Sequence, residues 1–578
     1  MTHPPKLCYS PGMAERILLS DLARNAWLTL TNRLRLLRLR RIDHVVLRLS
    51  GSLSERTPEP PRRPFPLSML PWPPPPPSVQ SFNEVLERLA ADPRVKGAVL
   101  IVAGLSAGPA TLSSLRQAVL RFRQAQKRAV AYLQELTMWS CYLASACDQV
   151  LAPESASLLA AGLWSETLFL KDTLSLVGVE ADLESVGEYK ASPDTYRRTT
   201  MSEPHREMLE AILDSLYSEV VTAVADGRKM TPDRVRELFD AVPMTAEQAR
   251  GAGLLDGVCY EDELPTTLGT PETPAALMTG EQAWRRLVRP RSWRSRSAIG
   301  VISLEGLIVS GPSRQPPGWV PLPLPGAQAG SETLVQQLRL AARNRRLAAV
   351  ILHVDSPGGS AFASDLIWRE VDRLRQVKPV VVYMGNRAAS GGYYVSAPAK
   401  AIVAQPATLT GSIGIWGGKF VTIGLFDKVR ARREVVSRGR VAGLYSDVAR
   451  FSDEERARVR AEIGGGYARF KARVVQGRGL TDAQVEEVAG GRVWTGEQAL
   501  ARGLVDQLGD LHAAADKARE LAGLDPRRYV PLVPLSVPRR YELPQPLPAE
   551  LDGWLNSLKD LAGERIFALA PWEIRIGG

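Results

Sequence analysis

Histidine is scarce in this chain, with His3, His44, His205, His353 and His512 the only five in 578 residues. A triad or metal cluster built on imidazole therefore has few possible members. Cysteine is scarcer still: Cys8, Cys141, Cys147 and Cys259 form no CxxC pair and no regular spacing. A disulfide framework and a zinc site are thereby excluded, and the four read as reduced thiols, mostly in the core. No apolar run approaches the ~20 residues of a membrane-spanning helix, and no signal-peptide h-region with a cleavage site is found. Neither a metal nor a cofactor is expected. Nucleic acid is not expected as a partner either, because a net charge of +11 is its only support and no recognition motif accompanies it.

What is present is an ordinary globular composition, 45% hydrophobic and 23% charged, in a chain too long for one core. Length alone suggests about three to four domains. Residues 1–42 read as a disordered start followed by a basic amphipathic helix over 13–41, with Trp27, Leu30, Leu34 and Leu37 among its apolar positions and arginines clustered at its end. Two readings fit it. Such a helix lies on an anionic membrane surface as a peripheral anchor, or it packs on its own domain or a neighbouring subunit. A cytoplasmic location is the alternative to membrane attachment.

A strand over 44–49 leads into a proline-rich stretch, 57–77, read as an extended flap or a ligand for a proline-binding domain. Helix and strand patterns then alternate: helix 82–91, strand 97–102, helix 112–126, strand 129–133, helix 139–146 and strand 149–152. This alternation predicts an α/β fold with a mainly parallel sheet covered by helices.

The pattern then repeats. Ala98-Val-Leu-Ile-Val returns as Ala349-Val-Ile-Leu-His, and Gly253-Leu-Leu-Asp256 returns as Gly503-Leu-Val-Asp506, with a shift near 250 residues throughout. Two tandem copies of one α/β domain follow, at 43–265 and 297–520, joined by a linker at 266–296. A tail carrying proline and tryptophan, 521–578, is expected to pack over a domain surface. A second proline-rich insert occupies 312–325.

Differences between the copies point to chemistry. The second copy has Ala389-Ser390-Gly391-Gly392-Tyr393 after a strand-like run, where the first has Met138-Trp139-Ser140-Cys141-Tyr142. A serine at a strand-to-helix corner projects its hydroxyl, the unpaired N–H groups of the first helical turn can receive an oxyanion, and glycine lets a carbonyl approach. The first copy has Gly187-Glu188-Tyr189-Lys190, and Lys190 corresponds to Arg440 in the second. Arginine stays protonated, whereas a desolvated lysine can lose its proton and act as a base. One copy thus keeps a serine nucleophile and the other a lysine base, which implies a site shared between them.

Four motifs of the second copy resemble those of signal peptide peptidase A, a family of Ser/Lys-dyad proteases: Asp355-Ser-Pro-Gly-Gly359, Ala389-Ser-Gly-Gly-Tyr-Tyr394, Leu409-Thr-Gly-Ser-Ile-Gly414 and Arg492-Val-Trp-Thr-Gly-Glu-Gln-Ala499. The duplicated layout, with Lys190 in the first copy, resembles the long, two-domain form. The resemblance implies a ClpP/crotonase-like fold in each copy and a homotetramer. It also implies peptide substrates, namely remnant signal peptides and other unfolded or hydrophobic segments. It makes Ser390 the nucleophile, Lys190 the general base and Ser412 the hydroxyl that orients the lysine. Gly391, with Gly358 or Gly359, is the implied oxyanion hole. The family's long forms carry a transmembrane anchor at the N-terminus, where this chain has the basic helix.

Neighbouring positions have roles of their own. Glu188 must point away from Lys190 or pair with an arginine, since a carboxylate beside the amine would keep it charged. Asp355 reads as a turn-former for the Ser-Pro-Gly-Gly loop, and His353 as a half-buried strand residue. Tyr393, Tyr394, Trp416 and Trp164 read as core or subunit packing. Two other functions fit the pattern: an acyl-CoA enzyme of the crotonase type using only backbone N–H groups, and a catalytically silent scaffold.

Overall fold

The structure is a computed structural model that describes residues 19–38, 41–57, 77–289, 292–293, 295–314, 326–537 and 566–569. Most of both proline-rich stretches and of the tail lies outside these residues, as does the start of the basic helix.

Apolar runs rich in valine, leucine and alanine become the central strands, buried on both faces, of parallel sheets covered by helices. The strands of the first repeat are β1 (Ile42–Ser52), β2 (Val95–Ser106), β3 (Arg128–Leu133), β4 (Gln149–Ala152), β5 (Ser157–Leu158), β6 (Glu180–Val186), β7 (Met244–Thr245), β8 (Gly257–Val258) and β9 (Leu277–Thr279). Six of them make one all-parallel sheet in the order β8-β4-β3-β2-β1-β9. Strand β9 and the helix Gly280–Arg286 belong to the segment expected to be a linker. That segment therefore extends the first domain's sheet, because its short apolar stretch finds the open edge of β1.

The second repeat supplies β10 (Ala298–Glu305), β11 (Leu307–Val309), β12 (Gln328–Gly330), β13 (Leu347–Ser356), β14 (Gly358–Ser360), β15 (Val380–Ala389), β16 (Ala401–Ala404), β17 (Leu409–Gly411), β18 (Ile415–Val421), β19 (Val493–Thr495) and β20 (Gln507–Leu508). The tail adds β21 (Leu532–Pro534) and β22 (Ile566–Leu569). The main sheet runs β19-β17-β15-β13-β10-β21, with β16 and β20 branching from β15, and only the β17–β19 pair is antiparallel.

The repetition is physical as well as sequential. Each copy carries a 26-residue helix, Glu203–Arg228 or Asp453–Arg478, capped by Ser202 or Ser452 and ended by a left-handed residue, Lys229 or Gly479. The repeated Gly-Leu-x-Asp motif has one task in both. Asp256 Oδ2 accepts from Val150 N, and Asp506 Oδ2 accepts from Ile402 N, each at 2.7 Å.

A third sheet crosses the repeats in the order β12-β11-β14-β22-β18-β6. Strand β6 of the first repeat pairs antiparallel with β18 of the second along its whole length, from Glu180↔Val421 to Val186↔Ile415. Ion pairs hold this exchange: Arg456 lies 2.8 Å from Asp182, and Arg460 lies 2.9 Å from Glu184. Deeper between the repeats, Tyr383 OH donates to Glu55 Oε2 at 3.1 Å and lies 3.1 Å from Ser114 Oγ.

The N-terminal helix, described as Leu19–Arg38, is tied to the inter-repeat segment by polar groups. Asn32 Nδ2 donates to Arg289 O at 2.9 Å, and Asn25 Nδ2 donates to Ser292 O at 3.2 Å. Trp27, Leu30, Leu34 and Leu37, which share one face of the helix, are exposed. Among the described residues no helix is long and apolar enough to cross a membrane. Tyr393, Tyr394 and Trp416 are buried, whereas Trp164 is 54% exposed and so is not a core residue.

Candidate active site

Strand β15 runs straight into Ala389, and the helix Gly391–Ser396 begins directly after Ser390. Ser390 takes φ 54° and ψ −112°, a conformation that L-residues rarely adopt. Its N–H donates to Gly411 O at 2.8 Å, which locks the corner to the neighbouring β17. Ser412 occupies the matching place past the end of β17, also with positive φ (51°), and its N–H donates to Arg492 O at 2.7 Å. Two adjacent parallel strands thus each end in a serine bent out of the sheet.

Lys190 reaches this point from the other repeat. After β6 leaves its pairing with β18, Gly187 (φ 101°) packs directly on Gly490, and Tyr189 N donates to Gly490 O at 3.0 Å. Side chains on the opposing segment would block the lysine. A Cβ at Gly491 would fall 2.7 Å from Lys190 Cα, and one at Gly414 would fall 3.1 Å from Lys190 Cδ. In this channel Lys190 is 1% exposed, and Ser390 and Ser412 are fully buried. Lys190 Nζ lies 2.8 Å from Ser390 Oγ, 3.0 Å from Ser412 Oγ and 3.2 Å from Ser412 O.

Burial alone pushes the Lys190 amine well below the ordinary lysine range. Glu188, the carboxylate two positions away, is exposed, as its expected direction requires. The three contacts count out well for a neutral amine. Its two N–H bonds serve Ser412 O, which can only accept, and Ser412 Oγ, and its lone pair is left facing the Ser390 O–H. An ammonium could also fill three contacts as a donor, but among the described residues no counter-charge repays its desolvation.

Some expectations change at the glycine loop. Asp355 does not hold that loop through a local turn. Its Oδ1 accepts from Arg387 N of β15 at 3.1 Å, because β13 and β15 run side by side there. The loop is held instead by Ser356, whose Oγ accepts from Gly358 N at 3.1 Å. Gly358 and Gly359 have φ of 103° and 153°, and a Cβ on Gly359 would meet Ile308 O at 2.1 Å. His353 is buried at 2% exposure rather than half-buried, stacks on Tyr383 and stands away from the serine–lysine cluster.

Sequence reasoning passed over Gly490-Gly491, which make the floor for Lys190. A signal was present: the second copy has this glycine pair where the first has Asp240-Ala241, just ahead of the shared Thr-x-Glu-Gln-Ala motif.

Known proteins match the chain across both repeats. Peptidase family S49 matches residues 121–271 and 372–525, segments that contain Lys190 and both Ser390 and Ser412, respectively. The chain is 33% identical over 472 residues to the chloroplastic serine protease SPPA of Arabidopsis thaliana, covering 80% of this chain and 68% of that one. It is 30% identical over 497 residues to Protease 4 of Haemophilus influenzae, covering 82% and 78%. It is 31% identical over 452 residues to Protease 4 of Salmonella typhi, covering 76% and 71%. With a match in each repeat and relatives aligned across most of both chains, this protein belongs to peptidase family S49 and is a serine protease.

Proposed function

We propose that the protein hydrolyses peptides with a Ser390–Lys190 dyad shared between its two repeats. The observation that carries this reading is the 2.8 Å contact of Lys190 Nζ with Ser390 Oγ in a buried place where, among the described residues, no carboxylate stands against the amine. Neutral Lys190 takes the Ser390 proton as Oγ attacks the scissile carbonyl, then returns it to the leaving amine. Ser412 positions the amine through its Oγ and carbonyl so that the lone pair faces Ser390. The Gly391 N–H, first in its helix, and an N–H of Gly358 or Gly359 receive the oxyanion. In the resting chain the Gly358 N–H is engaged by Ser356 Oγ, which must yield it if Gly358 is the donor. Water then hydrolyses the acyl-enzyme by the same proton route in reverse.

The substrates proposed are remnant signal peptides and other unfolded, hydrophobic segments, bound in extended form by backbone pairing. The assembly proposed is a homotetramer. The exposed face of Trp27, Leu30, Leu34 and Leu37, flanked by Arg33 and Arg35, is proposed to lie on an anionic membrane surface.

Hydrolysis of a fluorogenic hydrophobic peptide tests the chemistry. Ser390→Ala and Lys190→Ala should each lower kcat by on the order of 10⁴ while the chain stays folded. Full activity in either variant would sink the dyad.

A further inference from the structure

Strand β22 is out of place for a tail that merely covers a surface. It lies between β14 and β18, antiparallel to both, with Gly358↔Leu569, Gly359↔Ala568 and Ser360↔Phe567 on one side and Trp416↔Phe567 and Gly417↔Ile566 on the other. Without it, β14 and β18 are two open edges facing each other across the width of one strand. Such a slot takes an extended peptide through its backbone.

Register places the slot at the nucleophile. Ser356 is paired with Ala388 on the adjacent strand, and two residues further along each chain stand Gly358 and Ser390. The helix that starts at Gly391 touches both β14 and β22. On the far side of β18 lies β6, the strand that delivers Lys190. One sheet therefore holds the glycine loop, the tail strand, β18 and the strand that leads to Lys190 in succession. Leu569, opposite Gly358, is the tail residue nearest the nucleophile in register.

We infer that the chain's own tail, residues 566–569, is a resident ligand of the peptide-binding slot and an intramolecular competitor of peptide substrates, with Leu569 standing where a substrate presents the residue before its scissile bond. The inference rests on the Ser390–Lys190 reading for what the slot receives. Its sequence, Ile566-Phe567-Ala568-Leu569, is apolar and strand-forming, the chemistry proposed for the substrates. An incoming peptide must displace it, so the peptide's apparent dissociation constant is the intrinsic one divided by the fraction of chains with an open slot.

The test is the full chain carrying Phe567→Pro and Ala568→Pro together. Successive N–H groups of a strand point to opposite sides, so both β14 and β18 lose a donor. If the tail fills the slot in nine chains of ten, KM for a fluorogenic peptide falls about tenfold in this variant with kcat unchanged. An unchanged KM overturns the inference. A second measurement needs no catalysis. In a Ser390→Ala background, the tail prolines should speed hydrogen exchange at amides of residues 358–360 and 415–417, and equal exchange also overturns it. If hydrolysis proves independent of Ser390, the dyad reading fails, while the exchange measurement still decides the tail.

Discussion

Lys190 Nζ and Ser390 Oγ stand 2.8 Å apart although 200 residues separate them in the chain. The contact exists because β6 leaves the first repeat and pairs with β18 of the second. A buried lysine facing two hydroxyls and a carbonyl costs stability, and on the proposed reading that cost is what lets the amine serve as the base. Four predictions follow from the geometry of this cluster and its surroundings, and a fifth tests the dyad itself.

Lys190→Met should stabilise the protein while abolishing hydrolysis. Burial lowers the folded-state pKa of Lys190 below its unfolded value, so the unfolded chain binds the extra proton. Wild-type stability should therefore rise with pH above the folded pKa, until the unfolded lysine also deprotonates near ~10.4. At pH 7 the variant gains on the order of 1–3 kcal/mol. The gain should shrink as the pH approaches 10, read by urea denaturation at several pH values.

Ser390→Gly should be more stable than Ser390→Ala by about 1 kcal/mol. Holding an L-residue at φ 54° and ψ −112° costs about 1–3 kcal/mol, more than the ~0.5–1 kcal/mol of unfolded-state entropy that glycine adds. A melting temperature for Ser390→Gly below that of Ser390→Ala would show that the corner is unstrained.

Much of this site was legible in the sequence, because a tandem repeat lets each copy serve as the control for the other. Ser390 stood out against Trp139-Ser140-Cys141, and Lys190 against Arg440, since a nucleophile and a base are matters of local residue type. The alternating strands and helices were legible for the same reason. What escaped was set by tertiary neighbours. Gly490 and Gly491 matter as space for a side chain 300 residues earlier, which no local pattern encodes. Asp355 follows a rule for turns in isolation, but the adjacent β15 offered a better N–H. Four apolar residues near the C-terminus, Ile566–Leu569, carry no periodicity long enough to announce a strand, and only the open edges of β14 and β18 make them one.

Gly414→Ala should impair catalysis beyond its effect on folding. The added methyl would sit 3.1 Å from Lys190 Cδ and 2.9 Å from Gly491 Cα, pushing the amine off the line to Ser390. A displacement of this kind costs about 10²-fold in kcat, with KM little changed. Wild-type kcat in this variant would mean that the lysine stem has room to spare.

Glu55 should make stability fall as pH rises. Burial between the repeats pushes its carboxyl up to about 7, so the folded state holds a proton that the unfolded state releases near ~4.5. Between these values its contribution declines by on the order of 3 kcal/mol and is flat above. Glu55→Gln should remove that slope, leaving the variant more stable than the parent at pH 8 and no more stable at pH 4. Parallel stability curves for the two proteins would contradict the assignment.

The dyad itself is tested most directly by the pH dependence of fluorophosphonate labelling of Ser390, with the modified residue identified by mass spectrometry. The account predicts a labelling rate that rises through a single ionisation below the ordinary lysine range and is lost in Lys190→Ala. Labelling of Ser390 at the wild-type rate in Lys190→Ala, or a rate that follows no such ionisation, would contradict it.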